Sequence, residues 1–282
     1  MAFGGKQPAA RVAGMSRSNA DITVAISTIG TGIERLRLPE ARAGLTYLIL
    51  VQQPPSQIAT PEVKRADVRV ETLPSVGLSH SRNAAIDLCE TPFLLFADDD
   101  MALNPKGISA LSVHLEQDAE LALAAGWRDT AFHAYRRSKQ RHALTLFNSG
   151  RVCAPEFMVR VDKVKQSNLR FDTGFGVGAP LPTGEDYIFV TDLLKRGLKA
   201  QSFPIKTGHH IGASTGRNWQ DATLLHARRA VLSRVFGPRA PLVACAYALR
   251  HYRKFSGPDA AFAFCCGRLG PTTSHDTSEG RR

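Results

Sequence analysis

The apolar run 93–97 (FLLFA) ends in three consecutive carboxylates, Asp98, Asp99 and Asp100. Three like charges side by side repel one another unless something positive answers them. Aspartate oxygens are hard ligands that suit Mg2+ or Mn2+. Mg2+ takes one or two carboxylates and fills the rest of its shell with phosphate oxygens and water. The chemistry suggested by the triplet is a divalent ion carrying a phosphorylated substrate. A solvated acidic turn after a strand is the alternative.

The elements around the triplet say where it sits. Residues 22–28 (ITVAIST) are short and β-branched, the pattern of a buried strand, and Gly30 and Gly32 follow, then a short helical stretch over 33–38. Residues 45–51 and 68–72 predict two further strands. Ser79 predicts the cap of a helix that runs to about 89 and is stopped by Thr91-Pro92. Residues 93–97 form a fourth strand, 105–116 a helix and 121–125 a strand. Residues 128–142 are polar and basic, which predicts a mobile connection. A strand over 157–161 follows, then a Gly- and Pro-rich loop over 172–184, a helix over 187–196 closed by Gly197, and a strand over 199–205. Alternating strands and helices predict an α/β layer fold with a largely parallel sheet. In such sheets ligands bind outside the carboxyl ends of the strands. The triplet, Thr28 to Gly30 and Gln52-Gln53 all fall on that rim. No internal repeat is present.

Four motifs occur in order: GLSHSRNAAI (77–86), FLLFADDDM (93–101), FDTGFG (171–176) and GEDY (184–187) followed by LLKRG. Over residues 20–212 this order resembles the family 2 glycosyltransferases. The resemblance implies the GT-A fold: a Rossmann-like, mostly parallel central sheet flanked by helices, here with a C-terminal helical extension. It also implies a nucleotide-sugar donor, with Asp98 facing the donor ribose, Asp100 binding the metal at the diphosphate, and Asp99 sharing either task. Thr28, Gly30 and Gln52 join the donor side. Arg82 matches a nucleotide-side arginine; an ordinary helix-surface ion pair is its alternative. Asp186 matches the general base, and Glu185 orients the acceptor, although an acidic first helical turn favoured by the macrodipole would look the same. His209 or His210 supplies a third metal ligand, with His210 favoured because Ile-Gly-Ala-Ser follows it.

One base without a nucleophile implies a single displacement and inversion at C1. The first strand ends in Ser-Thr-Ile-Gly-Thr-Gly where many members show Pro-Thr-Tyr-Asn, so the base-binding end departs from the pattern. The Q-x-x-R-W stretch of processive members is reduced to Arg217 and Trp219 at another spacing, which predicts transfer of one sugar per encounter. The acceptor implied is a glycan or lipid-linked precursor in surface polysaccharide synthesis. Two rival readings are a nucleotidyltransferase acting on sugar phosphates and a non-catalytic glycan- or nucleic-acid-binding protein with a degenerate site. The first lacks a basic phosphate loop near residues 28–32, where no basic residue precedes Arg35.

Composition supplies the remaining expectations. The 282 residues suffice for one large domain with appendages, and the formal charge is +11. That charge sits at the ends. Residues 1–20 hold three basic residues and no acidic one, and residues 217–282 hold eleven Lys/Arg against four Asp/Glu, which leaves the body nearly neutral. This fits contact with an anionic membrane surface better than a nucleic-acid groove, and no nucleic-acid partner is expected. The division expected is a basic disordered tail over 1–20, a catalytic domain over 21–216, a basic amphipathic extension over 217–256 made of two helices broken at Gly237-Pro238, and a disordered tail over 257–282. Five cysteines, odd in number and without metal-ligand spacing, predict a cytoplasmic protein, peripheral on the inner face of the membrane if the basic helices bind there.

Overall fold

The computed structural model describes residues 21–53, 64–129, 140–210 and 218–269. Among these residues nine strands form one sheet. β1 (Ile22–Ile29), β2 (Leu45–Gln52), β3 (Val68–Leu73) and β4 (Phe93–Asp98) lie parallel in the order β3-β2-β1-β4. β8 (Phe157–Arg160) then runs antiparallel between β4 and β6 (Leu121–Asp129), and β9 (Lys199–His210) is parallel to β6. Six strands therefore point one way. The short β5 (Met101–Leu103) and β7 (His142–Ala143) pair antiparallel with β9.

Helices cover both faces, which explains why β4 reads as an unbroken apolar run. Its Leu94 and Phe96 pack with Ile86 of α1 (Leu78–Leu88) and Phe189 of α4 (Glu185–Lys195). Its Phe93, Leu95 and Ala97 pack on the other face with Ile108, Leu111 and Leu115 of α2 (Pro105–Gln117). The strand order reverses between β1 and β4. The register sets Ser27 beside Asp98 at that point, where a parallel sheet opens a crevice.

Several boundaries differ from the sequence reading. Gly77, not Ser79, caps α1. The strand expected over 199–205 continues to His210, so both histidines lie on it, paired with β5, a strand the sequence did not suggest. Of Lys206 to His210 only Thr207 is a good strand former, but Gly208 lets the β5 backbone come close: a Cβ there would lie 2.8 Å from the Ala102 carbonyl. After β8 the chain forms the short helix α3 (Val161–Gln166). Of the connection expected over 128–142, its ends belong to β6 and β7, and residues 130–139 lie outside the described residues.

α5 (Ala222–Phe236) and α6 (Ala240–Arg250) form as expected, broken at Gly237 with φ +54. The tail expected over 257–282 is corrected: Pro258–Cys266 is helix α7. Its Phe264 and Ala261 bury against Leu225, Leu232, Ala244 and Phe255, a surface that exists only once α5 and α6 have folded. Residues 1–20, 211–217 and 270–282, with the Ile-Gly-Ala-Ser stretch and Arg217, lie outside the described residues. α5 is not a free amphipathic helix. Its Val231 and Val235 pack with Phe175 and Ile188, and its Arg234 binds Asp172 at 2.9 Å and Asp192 at 2.7 Å. Among the described residues no helix is long and apolar enough to cross a membrane.

Candidate active site

The helix α1 carries Ser79, Arg82 and Asn83 toward the loop 171–184, as spacings of three and four residues on a helix allow. The Ser79 hydroxyl donates to the Phe175 carbonyl at 2.7 Å. The Asn83 amide donates to the Phe171 carbonyl at 2.9 Å and accepts from the Phe171 N–H at 2.8 Å. The Leu78 N–H donates to the Val177 carbonyl. The motif around Arg82 is therefore a clamp that fixes the loop leading into α4. At the end of that loop Gly184 takes φ +97, and a Cβ on it would lie 2.2 Å from the Val231 side chain. Only glycine allows α4 to start there against α5.

Arg82 stands at the centre, with a side chain only 2% exposed. Its guanidinium donates to Asp186 at 2.6 Å, to Glu185 at 3.1 Å and to Asp98 at 3.3 Å. Burial works against its charge, but Asp186, Asp98 and Glu185 outweigh that and raise its pKa. It is not a helix-surface ion pair. Burial pushes the Asp186 carboxyl up to about 7, against the pull of Arg82. A carboxylate near pH 7 is suited to accept a proton from a hydroxyl.

The three aspartates do not act as one cluster. Asp98 faces Arg82. Asp99 accepts from the Thr28 hydroxyl at 2.7 Å and lies 3.7 Å from Arg35. Asp100 Oδ2 lies 3.1 Å from His210 Nε2. Each carboxylate thus has its own partner, which is how the chain tolerates three in a row. Burial raises the Asp100 pKa, His210 opposes this, and Asp98 and Asp99 add to it.

The remaining expected residues divide. Thr28 and Gln52 line the same cleft as Arg82, the triplet, Glu185, Asp186 and His210. Gln52, however, spends its amide on the Gly77 backbone, donating at 2.9 Å and accepting at 3.3 Å. Gly30 is set beside the cleft rather than in its lining, and its φ of +57 turns the chain after β1. His209 is corrected: it is exposed and absent from the lining, because adjacent strand residues point to opposite faces.

The cleft encloses about 490 Å3. On the β1–β2 side it is lined by Thr28, Gln52 and Gly77, and on the β6 side by Arg128, Cys153 and Tyr187. The sequence reading missed Arg128. It sits at the carboxyl end of β6, and a strand extended past residue 125 would have put it on the ligand rim.

Asp100 Oδ1 is buried and has no hydrogen-bond partner among the described residues. A buried orphan carboxylate oxygen beside an imidazole is a donor set that fits Mg2+ or Mn2+. Among the described residues no three acidic, His or Cys side chains converge on one point, so of these residues Asp100 and His210 would hold such an ion.

No family model matches the sequence, and no curated protein matches it. Solved structures do. S. aureus TarS (residues 1–349) in complex with UDP matches at 13% identity and a TM-score of 0.55, over 84% of this chain and 72% of that one. Glucosyl-3-phosphoglycerate synthase from Mycobacterium tuberculosis, in complex with Mg2+ and UDP, matches at 12% identity and 0.51, over 79% and 82%. The mannosyltransferase PcManGT from Pyrobaculum calidifontis, in complex with GDP-Man and Mn2+, matches at 12% identity and 0.51, over 90% and 70%. The chain has the GT-A fold. In the GT-A fold described here, the carboxyl-end crevice of the sheet is the cleft that holds Arg82 and its three carboxylates.

Proposed function

We propose that the chain is a family 2 glycosyltransferase that moves one sugar from a nucleotide-sugar to a hydroxyl. The observation that carries this reading is the pairing, at one switch point of the sheet, of a buried base candidate on Arg82 with Asp100, whose Oδ1 is buried without a hydrogen-bond partner among the described residues, beside His210. Asp186 takes the proton of the acceptor hydroxyl. The acceptor oxygen then forms its bond to C1 as the C1–O bond to the diphosphate breaks, and the electron pair leaves with the nucleoside diphosphate. With Asp186 as base and the acceptor oxygen as the attacking group, the displacement is single and inverts C1. Arg82 holds Asp186 and Glu185 in place, and Asp98 is shared between Arg82 and the donor. Asp100 and His210 would hold Mg2+ or Mn2+, which would supply neutralisation of the leaving diphosphate.

UDP-sugars lead the donor candidates, because UDP and UDP-GlcNAc occupy the TarS structures. The nucleotidyltransferase alternative gains nothing: Arg35, the first basic residue after β1, is directed at Asp99. Binding to an anionic membrane is assigned to α6 rather than α5. Leu242 and Leu249, 77% and 80% exposed, lie two turns apart on one face of α6, Phe262 of α7 is 63% exposed, and Arg239, Arg250 and Arg253, at or just beyond the ends of α6, are exposed as well. A lipid-linked glycan acceptor at that surface fits this arrangement.

The test is release of UDP from UDP-GlcNAc and other UDP-sugars with Mn2+ and a pool of acceptors. Wild type should release it, and Asp186→Asn should lose about 100-fold or more of the rate while still binding UDP. Equal rates in the two proteins would remove Asp186 from its assigned role.

A further inference from the structure

Arg128 has no place in the chemistry above, yet it is a charge held inside the cleft. Its side chain is 11% exposed. It projects from the carboxyl end of β6, opposite Gly208 of β9, and lines the β6 side of the cleft, away from the rim formed by β1 and β2. Burial works against its charge, but the nearby Cys153, Glu156, Asp98 and Asp186 outweigh that and raise its pKa.

The pairing of this charge is incomplete. Among the described residues its one ion-pair partner is Glu156, with Nε 3.6 Å from Oε1, beyond hydrogen-bond length. Nε is buried and has no hydrogen-bond partner. Glu156 is committed elsewhere, since its Oε2 accepts from the Cys153 N–H at 3.2 Å. Burial also pushes the Glu156 carboxyl up to about 7, against the pull of Arg128, so it is a weak counter-ion at neutral pH. A buried guanidinium with a slack partner is costly unless another anion completes its shell. A planar guanidinium also matches an oxyanion in two-pronged fashion.

We propose that Arg128 binds an anionic group of the acceptor, a phosphate-class oxyanion carried near the hydroxyl that Asp186 deprotonates. This rests on the glycosyltransferase reading and narrows it: the acceptor is an anionic hydroxy compound. Its position on β6, across the cleft from the β1–β2 rim, separates it from the donor's nucleoside.

The experiment is calorimetric titration of glycerol phosphate, with glycerol as the neutral control, into the full chain. It is run both nucleotide-free and loaded with UDP and Mn2+, on wild type, Arg128→Gln, Arg128→Lys and Glu156→Gln. Glycerol phosphate should bind wild type and glycerol should not. Arg128→Gln should weaken the phosphate about 10- to 100-fold, with Arg128→Lys between. Glu156→Gln, which keeps an acceptor for the Cys153 N–H and removes the competing carboxylate, should tighten it. UDP binding should stay unchanged in Arg128→Gln. Equal phosphate binding in wild type and Arg128→Gln, or none in wild type, overturns the proposal. Loss of UDP binding in Arg128→Gln also overturns it, because the anion is then the donor's diphosphate. If Arg128→Gln does not fold, the Glu156→Gln result decides, and no tightening there counts against the proposal. Failure of UDP to bind wild type would defeat the glycosyltransferase reading, while the nucleotide-free titration still answers for Arg128.

Discussion

Replacing Arg82 with methionine should cost more stability than any other single change in the cleft, and the cost should depend on pH. Methionine keeps most of the volume of the side chain but removes the charge. Asp186 and Glu185, with side chains 16% and 10% exposed, then stay buried without a counter-ion, while Asp98, 30% exposed, can turn to water. The cation lying 5.5 Å from the centre of the Phe171 ring is lost as well. Breaking a buried charge pair from one side costs about 3–5 kcal/mol. In a domain of this size that lowers Tm by roughly 6–15 °C. The sign with pH follows from Asp186. Its carboxyl is raised in the folded protein to about 7 even with Arg82 beside it, and removing Arg82 raises it further. An acid whose folded pKa lies above its unfolded value penalises the fold in full above the folded pKa, and the penalty fades as pH falls toward about 4. Thermal melts of wild type and Arg82→Met between pH 5.5 and 8 read both effects. The Tm gap should be large at pH 8 and narrow at pH 5.5. The triple variant Arg82→Met, Glu185→Gln, Asp186→Asn should recover much of the loss, since an uncharged cluster leaves no buried ion. A gap under about 2 °C at pH 8, or one that does not narrow in acid, would refute the reasoning.

Two further outcomes follow from the site and the C-terminal helices. Turnover of the donor should rise with pH through a midpoint near 7, because Asp186 accepts a proton only when ionised; a flat profile from pH 5.5 to 8 would remove it as the base. In sedimentation with mixed phosphatidylcholine–phosphatidylglycerol vesicles, the full chain should bind, and Leu242→Asp with Leu249→Asp should weaken binding about tenfold or more; equal sedimentation of both proteins would show that the exposed face of α6 does not meet lipid.

What the sequence disclosed and what it hid differ in range. The strand ending at Asp98 was readable because its apolar run is continuous, as a strand covered on both faces must be. Ser79, Arg82 and Asn83 were readable as a helix start, and Glu185-Asp186 as another. Their mutual contacts were not. Arg82 meets acids 103 and 104 residues away, and the three neighbouring aspartates are answered by Arg82, by Thr28 with Arg35, and by His210. No local pattern encodes such pairings. The extension of β9 through weak strand formers depends on Gly208 and its β5 partner, which propensity alone does not see. Helix α7 reads as a tail in sequence because its burial depends on α5 and α6. Choosing between His209 and His210 needed only the alternation of a strand, once the strand was known to reach that far.

In the proposed function Asp100, with His210, would hold a metal for a nucleoside diphosphate. The direct measurement is calorimetric binding of UDP, GDP and dTDP to wild type and Asp100→Ala, each with Mn2+ and with EDTA. One of these nucleotides should bind in a metal-dependent way, with binding abolished by EDTA and lost in Asp100→Ala. Binding of none of them, or binding indifferent to both the metal and Asp100, would contradict it.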